Sequence, residues 1–226
     1  MKILLVSATY DEIKPIAENS AIKEKFKPYF FKCNISGKEV DIIVTGIGMT
    51  STAYQMGKII CCNKYDYAFN FGIAGSFDKN IIIGEVVNVC HDTISELGAE
   101  NEEVFLKFNE LNIKINSIDN TIWKIENRYI INNPVIQELI KVKGVTVNTV
   151  HSNKNSIENI LNLFSPSVET MEGAAFPYIC NTEKIKCAQI RAISNYVCCN
   201  RNEQYWNKEL AIENLNIKAF SILNTL

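Results

Sequence analysis

The sequence predicts an α/β fold: a mixed, mainly parallel twisted sheet covered by helices on both faces, in three layers, with residues 1–226 forming one domain. Three observations predict it. Apolar runs of strand length alternate with segments of helical periodicity from one end of the chain to the other. A length of 226 residues suits one large α/β domain better than two small ones. A hydrophobic fraction of 47% against 21% charged residues is enough for a core on both faces of a sheet.

The elements follow in order. Residues 2–7 are a short apolar run expected as a buried strand, and 11–18 a helix whose first turn holds Asp11 and Glu12, acids suited to the positive end of the helix dipole. A hairpin is expected with strands near 28–34 and 39–45 around Ser36-Gly37, then a helix over 50–62. Tyr67 to Phe71 reads as a buried strand ending in a turn, Gly72-Ile73-Ala74-Gly75-Ser76, and 84–93 as the next strand. The stretch 98–126 is polar and irregular, as a lid or interface loop would be. A helix is expected at 134–141, a strand at 145–150, a helix at 155–163 and an extended segment at 167–169. Met171 to Cys180 reads as helical and 186–194 as a strand. A last helix, 206–224, carries Leu210, Ile212, Leu215, Ala219 and Leu223 at near-helical spacing.

Composition narrows the function classes. A net charge of −2 with no basic stripe gives no reason to expect nucleic acid or a membrane surface as partner. The first apolar run is too short for a signal peptide, and no run of eighteen apolar residues exists, so a cytoplasmic location is expected. The eight cysteines form no Cys-x-x-Cys pair and read as buried free thiols of a reducing compartment. Arginine occurs only at 128, 191 and 201. His91 and His151 are too far apart to suggest a metal pair, and a structural or supporting role is expected for each, with His151 close to a strand end that would border the base. No metal or cofactor is implied; Gly46-x-Gly48 lacks the third glycine of a dinucleotide fingerprint.

In open α/β sheets, ligands gather at the carboxyl ends of the strands. Suggestive ends are Ser7 to Glu12, Thr45 to Gly48, Gly72 to Ser76, Glu169 to Glu172, and Ser194-Asn195. Met171-Glu172-Gly173-Ala174-Ala175 resembles the Met-Glu-x-x-Ala signature of the nucleoside phosphorylase and nucleosidase superfamily. Arg191-Ala192-Ile193-Ser194-Asn195 resembles its Arg-x-x-Ser-Asp signature, with Asn in place of the acid. Asn70-Phe71-Gly72-Ile73-Ala74-Gly75 resembles its Gly-x-Ala-Gly turn, and Glu12 and Thr45-Gly46-Ile47-Gly48 fall in the expected order. Asn195-Tyr196-Val197, then Arg201-Asn202 and Trp206-Asn207, are similar to the futalosine hydrolases, which remove hypoxanthine from futalosine in menaquinone biosynthesis.

The resemblance implies a nucleosidase acting on a small purine nucleoside without a cofactor, as a homodimer or larger. Ile47, Ala74, Gly75 and Met171 would line the substrate site. Glu172 would accept bonds from the ribose hydroxyls, and Glu12 would activate water. Asn195 cannot act as a proton-transferring acid, but its NH₂ can donate to N7 or O6 of a 6-oxopurine. Asn70 stands where many phosphorylases place an arginine, which favours hydrolysis. Trp206, with Tyr205, would line the pocket for the 5′-group, and Arg201 would pair with a substrate carboxylate. The rivals are methylthioadenosine/S-adenosylhomocysteine nucleosidase, purine nucleoside phosphorylase and a non-catalytic nucleoside-binding protein. Several of these residues also have a plainer reading: Glu12 a surface acid at a helix start, Asn195 a strand cap, Arg201 a solvated loop residue and, as readily as a pocket role, Trp206 helix packing.

Overall fold

A computed structural model describes residues 1–26, 30–102, 104–111, 124–199 and 206–226. In chain order the first elements are β1 (Lys2–Ser7), α1 (Tyr10–Glu18), β2 (Ala21–Phe26), β3 (Phe30–Ile35), β4 (Lys38–Val44), α2 (Met49–Cys62), β5 (Tyr67–Ser76) and β6 (Val86–Ile94). Then come β7 (Gly98–Asn101), β8 (Val104–Lys107), β9 (Lys124–Glu126), α3 (Pro134–Glu138), β10 (Ile140–Thr146) and α4 (Lys154–Phe164). The last are β11 (Val168–Thr170), α5 (Ala175–Thr182), β12 (Lys186–Tyr196) and α6 (Lys208–Asn224).

The main sheet runs β11-β10-β6-β12-β5-β1-β4-β3-β2, with β9 added beside β6. Pairing is parallel at β11–β10, β10–β6, β12–β5, β5–β1 and β1–β4, and antiparallel at β6–β12, β4–β3 and β3–β2. β9 also pairs antiparallel with β6, so the sheet is mixed, with its longest ladders, β12–β5 and β10–β6, parallel. It curls until β11 also pairs antiparallel with the end of β5.

β1 shows why both faces are covered. Ile3 and Leu5 join one core with Phe69 and Phe71 of β5, Ile13 and Ile16 of α1, and Leu215 and Ile222 of α6. Leu4 and Val6 point the other way, to Met56 and Ile60 of α2 and Phe176 and Cys180 of α5. An unbroken apolar run is what a strand buried on both faces requires. Among the described residues, no helix is long and apolar enough to cross a membrane.

Several boundaries differ from expectation. The segment Gly72 to Ser76 is strand, not turn, because β12 pairs with it as far as Tyr196↔Ser76 and β11 closes on its other side. The helix expected at 134–141 is the single turn α3, and β10 begins at Ile140, earlier than the expected 145, paired along β6. The helix expected from Met171 starts at Ala175. Pro177 explains this: in a longer helix its ring would meet the carbonyl of Gly173, whereas the first turn tolerates it. Strand β2 was not expected, and the polar stretch 98–126 contains the β7–β8 hairpin and β9. All eight cysteines are free, but only Cys33, Cys180 and Cys187 are buried; Cys61, Cys62 and Cys199 are exposed.

Phe69 and Phe71 stack with centroids 5.6 Å apart beneath α1 and α6, both fully buried. Phe69→Ala is expected to lower unfolding stability by about 3–5 kcal/mol, the range for truncating a buried aromatic, as measured by urea denaturation.

Candidate active site

Glu12 is the third residue of α1, and its position is set by the helix start. Its Oε2 accepts from the Thr9 N–H (2.8 Å) and hydroxyl (2.9 Å), half of a capping box. Its Oε1 accepts from the N–H of Ile73 on β5 (3.0 Å). The helix-start reading and the functional one therefore coincide on one buried carboxylate. Burial pushes its pKa up from the ordinary glutamate value and Glu172 adds to the rise, while the Ile73 and Thr9 bonds and the charge of Arg191 oppose it.

Glu172 approaches from the opposite side. Its Oε1 accepts from the N–H of Gly48 (3.0 Å), the residue that opens α2. Gly48 has φ +96°, a conformation that side chains with a Cβ rarely adopt, and that conformation accompanies the N–H aimed at Glu172. The turn carrying Glu172 is tied down from below. Gly173 N–H donates to Thr170 Oγ1 (3.1 Å), and Ala174 N–H to Thr146 Oγ1 (2.8 Å). Thr146 in turn donates to Asp92 Oδ1 (2.7 Å). Burial raises the Asp92 carboxyl to about 6.

Between the two glutamates lies Arg191, fully buried on β12. Its Nη1 is 3.8 Å from Glu172 Oε2. It lies over Gly72, its register partner on β5. A Cβ at Gly72 would fall 2.1 Å from Nη1 and 3.0 Å from Glu12 Oε1, so only glycine admits the guanidinium here. Among the described residues, none of the three guanidinium nitrogens has a hydrogen-bond partner. Sequence reasoning used Arg191 only as part of a motif; its place between two acids depends on strand register, which the sequence does not display.

Three residues farther along β5, roughly 10 Å at strand rise, Gly75 is flanked on both sides. Asn195 of β12 stands opposite it in one register and Glu169 of β11 in the other. Asn195 Oδ1 accepts from the Ser194 hydroxyl (2.9 Å), and Nδ2 donates to Tyr196 O (3.3 Å), which leaves one amide proton for a ligand. Glu169 is buried and accepts from the backbone N–H of His151 (3.1 Å), and its Oε2 also meets His151 Nδ1.

Glu12, Glu172, Asn195, Glu169 and His151 share one cavity of about 350 Å³, and Arg191 lies behind its wall. Of the residues singled out in the sequence, it is lined by Glu12, Ile47, Ala74, Gly75, Met171, Glu172, Asn195 and Trp206. Arg201 and Tyr205 lie outside the described residues. Ile47 sits 60% exposed at the rim. Residues to which the sequence reading gave no binding role of their own also line it, notably Thr9, Lys208, Glu169 and His151, the last noted there only as close to a strand end that would border the base. Lys208 holds its Nζ 4.0 Å from the Trp206 ring centroid. For Glu169, the signal available was an acid at the end of a short strand, two residues before Met171.

Comparison with known proteins agrees with this architecture. The futalosine hydrolase of Thermus thermophilus is 27% identical over 177 residues, covering 76% of this chain and 75% of that protein. A methylthioadenosine/S-adenosylhomocysteine nucleosidase from Colwellia psychrerythraea, solved with adenine, superposes with a TM-score of 0.82 at 20% identity, covering 100% of this chain and 96% of that one. Native futalosine hydrolase of Helicobacter pylori superposes with a TM-score of 0.77 at 18% identity, covering 98% of each chain. At these identities the two solved structures establish the fold. The sequence profile of the phosphorylase superfamily matches residues 2–226, and the chain belongs to that superfamily.

Proposed function

We propose that this chain hydrolyses the N-glycosidic bond of a 6-oxopurine nucleoside, with futalosine as substrate and hypoxanthine as the released base. The observation that carries the reading is the polarity of one cavity: two carboxylates, backed by the buried guanidinium of Arg191 behind the wall, and an amide donor beside Gly75. A ribose over Glu172 would donate its 2′- and 3′-hydroxyls to the carboxylate, whose charge stabilises the sugar as it becomes cationic. A water in the cavity would be held by Glu12, which lines it. Glu12 takes a proton from that water as its oxygen bonds to C1′. The electrons of the C1′–N9 bond leave with the purine, whose N7 or O6 accepts from Asn195 Nδ2.

Two features favour water over phosphate as nucleophile. An anionic nucleophile would have to sit beside both Glu12 and Glu172, against like charge. None of the cavity-lining residues among those described is an arginine. Lys208 and Trp206 on the wall favour a 5′-group with an anionic and an apolar part, as in futalosine. A second copy of the chain closing the rim at Ile47 belongs to the same reading.

Incubation with futalosine and with matched 6-amino and 6-oxo nucleosides, with and without phosphate, tests the proposal by chromatography of the released base. Hypoxanthine release unaffected by phosphate is expected; a strict phosphate requirement, or a preference for 6-amino substrates, would overturn it. Glu12→Gln should lower turnover by two or more orders of magnitude, roughly the contribution of a general base, with substrate binding nearly unchanged. Glu12 works as the ionised base and burial holds its proton to higher pH. Wild-type turnover should therefore rise with pH along a limb above the ordinary glutamate range. Asn195→Asp should improve adenine nucleosides relative to hypoxanthine ones in kcat/KM, because the acid can accept from the 6-amino group.

A further inference from the structure

We propose that His151, held by Glu169, is a specificity-determining residue that reads the N1 edge of the base, accepting a hydrogen bond from the N1–H of a 6-oxopurine. The inference deepens the function proposed above and rests on it.

Glu169 grips His151 twice, through the backbone N–H at 3.1 Å and through ring Nδ1. A carboxylate only accepts, so in the neutral ring Nδ1 carries the proton and Nε2 is left as an acceptor. His151 lines the cavity with its side chain 15% exposed, and with Nδ1 turned to the buried Glu169, Nε2 is the ring nitrogen left for a ligand. Among the described residues, no protein group bonds Nε2.

Register places this pair relative to the base. Glu169 and Asn195 oppose Gly75 from its two neighbouring strands, so the pair and the amide flank the same point of the cavity from opposite sides. A purine that points its O6–N1 edge toward Gly75, with O6 on the Asn195 side, turns its N1–H toward His151. In hypoxanthine, O6 accepts and N1–H donates. Asn195 supplies the donor and His151 the acceptor, so the two residues match both. Adenine reverses both positions, meeting a donor with its amino group and an acceptor with its unprotonated N1. Two mismatches in a buried site discriminate far more sharply than one.

Binding of free hypoxanthine, 1-methylhypoxanthine and adenine, measured by calorimetry, tests this. Wild type should bind hypoxanthine roughly tenfold or more tighter than either analogue, the scale of one lost hydrogen bond. His151→Leu should lose hypoxanthine affinity by about the same factor and flatten the preference. His151→Gln, which keeps an acceptor, should restore most of it; a merely structural role would predict no such rescue. If the wild-type chain releases hypoxanthine from futalosine yet binds hypoxanthine and 1-methylhypoxanthine equally, the role of His151 is overturned and the proposed reaction stands. That comparison needs no variant to fold. If the chain releases no base from any nucleoside, the reaction falls and this inference with it.

Discussion

A guanidinium with no exposure, set between two carboxylates, is the constraint around which the rest of this molecule is arranged. Removing a charge from water is costly unless opposite charge stands close by, and breaking such a group by deleting one member leaves an uncompensated charge inside the protein. Arg191 is tolerated on β12 because Glu172 lies 3.8 Å from Nη1 and Glu12 faces it across Gly72. Each acid is in turn held by backbone N–H groups: Glu12 by Thr9 and Ile73, Glu172 by Gly48. The cluster therefore ties α1, the start of α2, β5, the turn after β11 and β12 to one point. A site held by backbone donors and a fixed fork has little freedom to drift, and catalysis by positioning requires that.

The rest of the cavity is measured out by β5. Its residues from Gly72 to Gly75 run from the charged end to the amide end, and neighbouring strands contribute their groups in register with it. The Gly-x-Ala-Gly segment is thus strand rather than turn, and its glycines and alanine leave room for a ligand over the sheet.

The sequence made the fold class legible because apolar runs such as Ile3 to Val6 and helical spacing such as Leu215, Ala219 and Leu223 are local properties. It misplaced boundaries where tertiary pairing overrode local signals. Glycines at 72 and 75 carry turn character, yet β12 and β11 draw them into a strand. The polar alternation of β2 is weak by itself and gains a partner only in β3. Within the site, the residues carried by short motifs were legible: Glu12, Met171, Glu172 and Asn195. Arg191 is legible only as part of a motif, Glu169 only as a strand end and His151 only as a neighbour of one, because what brings them to the candidate site is register and an 18-residue separation closed by the fold.

β12 is the last strand of the chain, yet it occupies the middle of the sheet, between β5 and β6. Until it docks, both of those strands present open edges on that side, and the two glutamates have no cation between them. During synthesis that slot stays open while more than a hundred residues between β5 and β12 are made. Such non-local insertion is intrinsically slow and exposes strand edges to other chains. The docking of β12 between β5 and β6 also brings Arg191 between the two glutamates, so joining the sheet and assembling the charged cluster are one event.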